Sequence, residues 1–221
     1  NLAQTGVVRL RFSGDADVNA TVALSRLGCN ALRLGVVPTA SALIRWARQG
    51  ARQTVAHGLR DAQLVHSGTV CNNACRFCCQ SDTAAGEGRS SDEVLSELRA
   101  VRGGVVLFTG GEATLRPELP EWVQCAKDAG AETVVVQTNG RMLSYRKLAR
   151  RLVRAGVDVF TVGLHGHIAV LHDWLTRVEG SFEQTLIGIR NVQSLGAVVY
   201  VDTVVTRSNF RHLPDIAKML P

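Results

Sequence analysis

From residue 104 onward, short runs of β-branched and other apolar residues alternate with longer stretches whose apolar positions recur at helical spacing. The runs are residues 105–109, 133–138, 157–164 and 198–206. Each is short and almost wholly apolar, the pattern of a strand buried on both faces. Residues 62–70 make a further strand upstream. Helix signals fill the intervals. Ser90 and Glu93 have capping-box spacing for a helix over 90–102, Pro117 suits the first turn of the next helix, and Gly156 stands where a left-handed C-cap is wanted. Ser181 reads as the N-cap of a later helix, and a last helix starts near Arg211. Alternation of this kind predicts an α/β fold of parallel βα units, five of them in this length.

Residues 1–61 do not fit the repeat. Residues 7–12 could form a strand, and 38–57 read as a helix with Ile44, Ala47, Ala51 and Val55 on one face. The predicted division is therefore an N-terminal α/β extension over 1–61, covering the barrel or contributing to substrate selection, and a core over 62–221. With no further strand after 198–206, the last sheet edge is expected to be unpaired and prone to association.

Composition narrows the class. Hydrophobic residues make up 46% and charged residues 20% of the chain, and its longest apolar runs fall far short of the roughly 18 residues that suggest a membrane span. A soluble globular protein is expected, with no membrane partner. The formal charge of +6 favours anionic partners. The basic residues are dispersed, however, except over 141–154, which reads as a solvated helix face. No nucleic-acid-binding motif accompanies them, so nucleic acid is not an expected partner. Six cysteines without a signal-peptide pattern fit a reducing cytoplasm. The chain opens on Asn1, which we read as a piece of a longer or processed product.

Cys71, Cys75 and Cys78 carry the chemistry. Their C-x3-C-x2-C spacing places three thiolates in one short run, enough to hold three irons of a four-iron cluster and leave the fourth open to a ligand that is not cysteine. A zinc-stabilised binding module without catalysis is the alternative, with Cys79 or His66 completing a tetrahedron. Adjacent Cys78 and Cys79 fit that geometry poorly. Cys29 and Cys125 have no metal spacing and read as small core residues.

The run Cys71-Asn72-Asn73-Ala74-Cys75-Arg76-Phe77-Cys78 resembles the signature of the radical S-adenosylmethionine (radical SAM) enzymes, which has the same spacing and an aromatic before the last cysteine. His172-Asp173 and Gly180-Ser181-Phe182 resemble pieces found in the molybdopterin-precursor and peptide-maturase branch. The resemblance implies a partial TIM-type (βα)6 barrel, truncated here after about five units, with a sixth strand and any C-terminal domain beyond Pro221. It implies a [4Fe-4S] cluster on Cys71, Cys75 and Cys78, and S-adenosylmethionine chelated to the open iron. Reductive cleavage then gives a 5′-deoxyadenosyl radical that abstracts hydrogen from an unidentified peptide or small molecule. A flavodoxin- or ferredoxin-type electron donor is implied as partner.

The same resemblance assigns further positions at the strand ends. Gly110-Gly111-Glu112 matches the motif that contacts the methionine amino group, with Ala113 where relatives usually have proline. Thr138 and Asn139 match a T-N-G that faces the cofactor. Gly163 stands where many relatives carry a ribose-binding serine, which hands that contact to Thr161, His165 or water. Asn209, with Arg207 beside it, is a candidate for the adenine and carboxylate. His165 and His167 could serve as acid or base, since histidine titrates near neutrality. No catalytic residue is assigned. Because Cys79 lies outside the signature, a Cys79→Ala variant is expected to keep its iron while Cys75→Ala loses it. Equal losses in an iron assay would reject the three-thiolate reading.

Overall fold

The computed structural model describes residues 6–11, 62–78 and 89–219. The helix expected over 38–57, Cys29 and Cys79 lie outside them. In chain order the elements are β1 (Gly6–Arg11), β2 (Gln63–His66), α1 (Ser91–Arg99), β3 (Val105–Thr109), α2 (Leu119–Asp128), β4 (Thr133–Thr138) and α3 (Arg146–Ala155). They continue with β5 (Val159–Gly163), α4 (Ala169–Thr176), α5 (Ser181–Ser194), β6 (Val198–Val205) and α6 (Leu213–Lys218). One six-stranded sheet runs in the order β1-β6-β5-β4-β3-β2. Strands β2 to β6 are all parallel, each paired with its neighbour in sequence. Among the described residues β1 and β2 do not pair, so the sheet is open, with five parallel strands in the manner of a partial barrel.

Period-two alternation sorts the strand residues onto two apolar faces. Val65, Val106, Phe108, Val134, Val136, Phe160, Val162, Val199 and Val201 pack outward with the helices. Leu107, Val135, Val159 and Tyr200 form a smaller cluster on the other face. Helix α2 anchors the outer layer through Trp122, fully buried, with its indole N–H donating to Ser91 Oγ at 2.8 Å. Arg146, Lys147, Arg150, Arg151 and Arg154 are exposed on α3, as a solvated helix face requires. Cys125 is partly buried against the core. No described helix is long and apolar enough to cross a membrane.

Several boundaries differ from expectation, each for a local reason. The capping box at Ser90 is present, but α1 ends at Arg99, where the Ala100 N–H bonds back to Glu97 and Leu98. Pro120, not Pro117, lies in the first turn of α2, because a 3₁₀ turn over Ala113–Leu115 intervenes. Ser181 is not the cap of α5. The left-handed Gly180 is, and the acceptor is remote: Asp173 takes the Gly180 and Phe182 N–H groups and the Ser181 hydroxyl, each at 2.8 Å. Burial raises the Asp173 carboxyl pKa, and these bonds outweigh it, so the net shift is downward.

The largest correction concerns the sheet edge. β1 pairs antiparallel along β6, from Gly6 opposite Val205 to Arg11 opposite Tyr200, so the last strand has a partner supplied from the N-terminal segment. The pattern around 7–12 indicated a strand, but which edge it would join depends on contacts between the two ends of the sequence. Truncating Trp122 to alanine is expected to cost about 3–5 kcal/mol of stability, read by urea denaturation. A loss below about 1 kcal/mol would show that α2 does not anchor this layer.

Candidate active site

The C-terminal ends of the parallel strands converge around the cysteine loop, the end of the sheet where α/β folds place their ligands. The loop leaves β2 through Ser67–Val70 and is held from three sides. On the first, β3 ends in Gly110 and Gly111, whose backbone lies directly against the loop. Gly111 N–H donates to Gly68 O and Glu112 N–H to Val70 O, both at 2.8 Å. A Cβ on Gly110 would stand 2.5 Å from Gly68 O, and one on Gly111 only 2.4 Å from Val70 O. Glycine is therefore demanded here by a close approach of two backbones.

On the second side, the end of β4 reaches across through Asn139 and Arg141. Asn139 Nδ2 donates to Asn72 Oδ1 at 2.7 Å and lies 3.9 Å from Cys71 Sγ. Arg141 donates to the carbonyl of Asn72 and to Asn73 Oδ1, while its Nε donates to Gln184 Oε1 at 2.7 Å. On the third side, Ala74 N–H and Arg76 N–H donate to Thr176 O and Leu175 O at 3.0 and 2.9 Å. Arg76 also lies over the Trp174 ring, 4.2 Å from its centroid, and its Nε donates to Trp174 O.

Glu112 ties the first two sides together. Its carboxylate is 2% exposed and accepts from Thr114 N–H, Thr114 Oγ1, Thr138 Oγ1 and Asn139 N–H. Burial pushes its carboxyl above the ordinary carboxylate range, and the four donors oppose that shift. Glu112 and Thr138 thus face inward and organise the strand ends, leaving the Gly110–Gly111 backbone and Asn139 nearest the loop. Asn209, fully buried, is spent in the same way. It accepts from Thr206 N–H and Oγ1, and it donates to Val204 O and His165 O.

His165 is buried and packs edge-on to Phe77, with ring centroids 4.6 Å apart. Its Nδ1 accepts from Val204 N–H at 3.3 Å, which assigns the ring proton to Nε2. Burial, with the neighbouring His172 adding to it, lowers its pKa to about 3, so the imidazole is neutral. Its Nε2 lies 3.1 Å from where a Cβ on Gly163 would be. The imidazole thus fills the space beside Gly163. His172 accepts the His165 N–H at 3.1 Å and is itself held neutral by burial, near pKa 4, against the opposing Asp173 charge. His167 lies further along the rim, stacked on His212 at 4.8 Å.

Burial raises the Cys71 pKa, and burial together with its two cysteine neighbours raises Cys75 to about 11. Such thiols become thiolates only beside compensating positive charge. Among the described residues, only His167, His212 and Asp215 bring three metal-binding atoms within 4.8 Å of one another. Three free cysteines on one loop form a donor set that fits an iron–sulfur cluster with one iron left open.

Comparison with known proteins agrees. The model of the Radical SAM superfamily matches residues 65–220, and the chain belongs to that superfamily, whose enzymes use a [4Fe-4S] cluster and S-adenosylmethionine and need a reductant and a substrate. Among similar proteins is the AdoMet-dependent heme synthase of Oleidesulfovibrio alaskensis, 30% identical over 67% of this chain and 39% of that protein. Another is the Fe-coproporphyrin III synthase of Methanosarcina barkeri, 31% identical over 68% and 38%. A probable GTP 3′,8-cyclase of Saccharolobus solfataricus is 34% identical over 66% and 47%. The chain thus spans less than half the length of these relatives. Among solved structures, native anSMEcpe with bound AdoMet and Cp18Cys peptide aligns at a TM-score of 0.59 with 16% identity, covering 71% of this chain and 46% of that one, a likeness of fold.

Arg141, Gln184, Trp174 and Asn72 are contributors that sequence reading missed. Arg141 was grouped with the solvated basic stretch, yet it turns to the cysteine loop. Its position directly after Asn139-Gly140 was the available signal. Replacing Gly111 by alanine is expected to force this junction apart. Cluster reconstitution should then bind less than half the iron of the unsubstituted chain, with helix content preserved by circular dichroism; full iron loading would show that the junction can give.

Proposed function

We propose that this chain is the S-adenosylmethionine-cleaving core of a radical SAM enzyme, with Cys71, Cys75 and Cys78 as the cluster ligands. The observation that carries the reading is the three-sided hold on a loop of three thiols at the C-terminal ends of the strands. When bound and reduced, the cluster supplies the electron that cleaves S-adenosylmethionine to a 5′-deoxyadenosyl radical. The chain's own residues bind, orient and exclude water. The carbonyls of Gly110 and Gly111 offer acceptors to the methionine ammonium, and Glu112 acts by fixing that backbone. Thr138 and Asn209 hold the ends of β4 and β6 in place. Asn139 borders the loop and faces the cofactor. The neutral His165, with its proton on Nε2, stands in for the serine hydroxyl missing at Gly163 and donates to the ribose. Its low pKa argues against a role as general acid near neutrality.

Residues 62–221 form the core in this reading, and 1–61 an extension whose strand covers the edge of β6. The reductant is a flavodoxin- or ferredoxin-type protein, and the location is the cytoplasm, where thiols stay reduced. The substrate is a peptide or a small molecule. Similarity to heme synthases and GTP cyclases favours a small molecule. A zinc-stabilised module without catalysis is disfavoured by the family match over residues 65–220. Anaerobically reconstituted protein, given dithionite and S-adenosylmethionine, is expected to release 5′-deoxyadenosine. Cys75→Ala should abolish release and Asn139→Ala should slow it at least about tenfold, the scale for losing one hydrogen bond to a charged group. A colourless protein containing one zinc and releasing none would refute the proposal.

A further inference from the structure

A second set of metal-binding side chains stands on the rim beyond β5 and β6, and the radical reading does not use it. His167 follows β5, His212 immediately precedes α6, and Asp215 lies in the first turn of α6. One ligand atom from each falls within a 4.8 Å cluster. The two imidazoles stack at 25° between ring planes. His167 Nδ1 is buried and has no hydrogen-bond partner among the described residues. His212 Nδ1 and Asp215 Oδ2 are 3.9 Å apart, too far for a hydrogen bond. Asp215 Oδ1 faces Lys218 Nζ at 3.5 Å, but that lysine is 76% exposed and can swing into solvent. Direct hydrogen bonding therefore accounts poorly for the way these three groups converge.

We propose that His167, His212 and Asp215 bind a divalent first-row transition ion of the zinc class. Two imidazoles and one carboxylate are a borderline donor set. Thiolate is absent, which disfavours an iron–sulfur cluster, and a single carboxylate is too little oxygen for calcium. Three protein ligands leave a coordination position open. His167 and His212 also line a groove of about 300 Å³ walled by Ile168, Leu171 and Trp174, so that open position borders an apolar surface. An ion there would capture an anionic or nitrogen donor on a ligand whose apolar part lies along the groove.

The test titrates the full chain with cobalt(II), after the cluster cysteines have been occupied by reconstitution, and then displaces the cobalt with zinc. The expected result is about one equivalent bound, with visible ligand-field absorption, no thiolate-to-cobalt charge transfer, and loss of the signal on adding zinc. His212→Ala and Asp215→Asn should each weaken binding at least about tenfold while leaving helix content and cluster absorbance unchanged. A chain carrying Cys71→Ser, Cys75→Ser and Cys78→Ser should keep the signal, which separates this site from the cluster whether or not the radical reading holds. The proposal is overturned by equal affinity in the unsubstituted chain and both rim variants, by thiolate-ligated cobalt alone, or by no binding.

Discussion

The site rests on a contact between two backbones. Gly110 and Gly111, at the end of β3, press against Gly68–Val70, the segment that carries the chain from β2 into the cysteine loop. No side chain fits between them, so the start of that loop is registered directly on the sheet. Directly after this contact the chain turns Glu112 inward, and its buried carboxylate extends the same register to β4 through Thr138 and Asn139. The loop is thus positioned by two adjacent strands before any metal-binding atom is considered.

Burial makes this arrangement stiff. A carboxylate in an apolar interior is tolerated only when its acceptors are filled, and leaving any of those donors unpaired would be costly. Glu112 therefore holds Thr114, Thr138 and Asn139 in one geometry. Asp173 does comparable work on the opposite flank. By capping α5 it fixes the chain reversal after α4, whose last residues receive the hydrogen bonds of Ala74 and Arg76. A loop clamped in this way is ordered before any ligand arrives, and such preorganisation favours binding.

His165 illustrates how one position changes its neighbours. With glycine at 163 there is room beside the strand for an imidazole, and the imidazole occupies it. It reaches Phe77 on the cysteine loop, and its backbone carbonyl is tied to Asn209. The space beside Gly163 is thus filled by a side chain two residues further along the chain. The same rim carries His167 and His212 onward to the apolar groove, so polar chemistry extends outward from the strand ends.

The sequence by itself determined the parallel βα order, the positions of β3 and β4, the capping box on α1 and the three thiols, because each depends on local periodicity or spacing within a few residues. Even the identity of the glycine pair was legible, although its reason was not. Only the tertiary structure decided that β1 closes the edge of β6, that Arg141 serves the loop and not the solvent, and that Asp173 caps a helix beginning eight residues later. It also decided that Glu112, Thr138 and Asn209 turn inward. These outcomes follow from burial and from contacts between segments far apart in the chain, and local pattern encodes which residues can hydrogen-bond but not which partners the fold will bring to them.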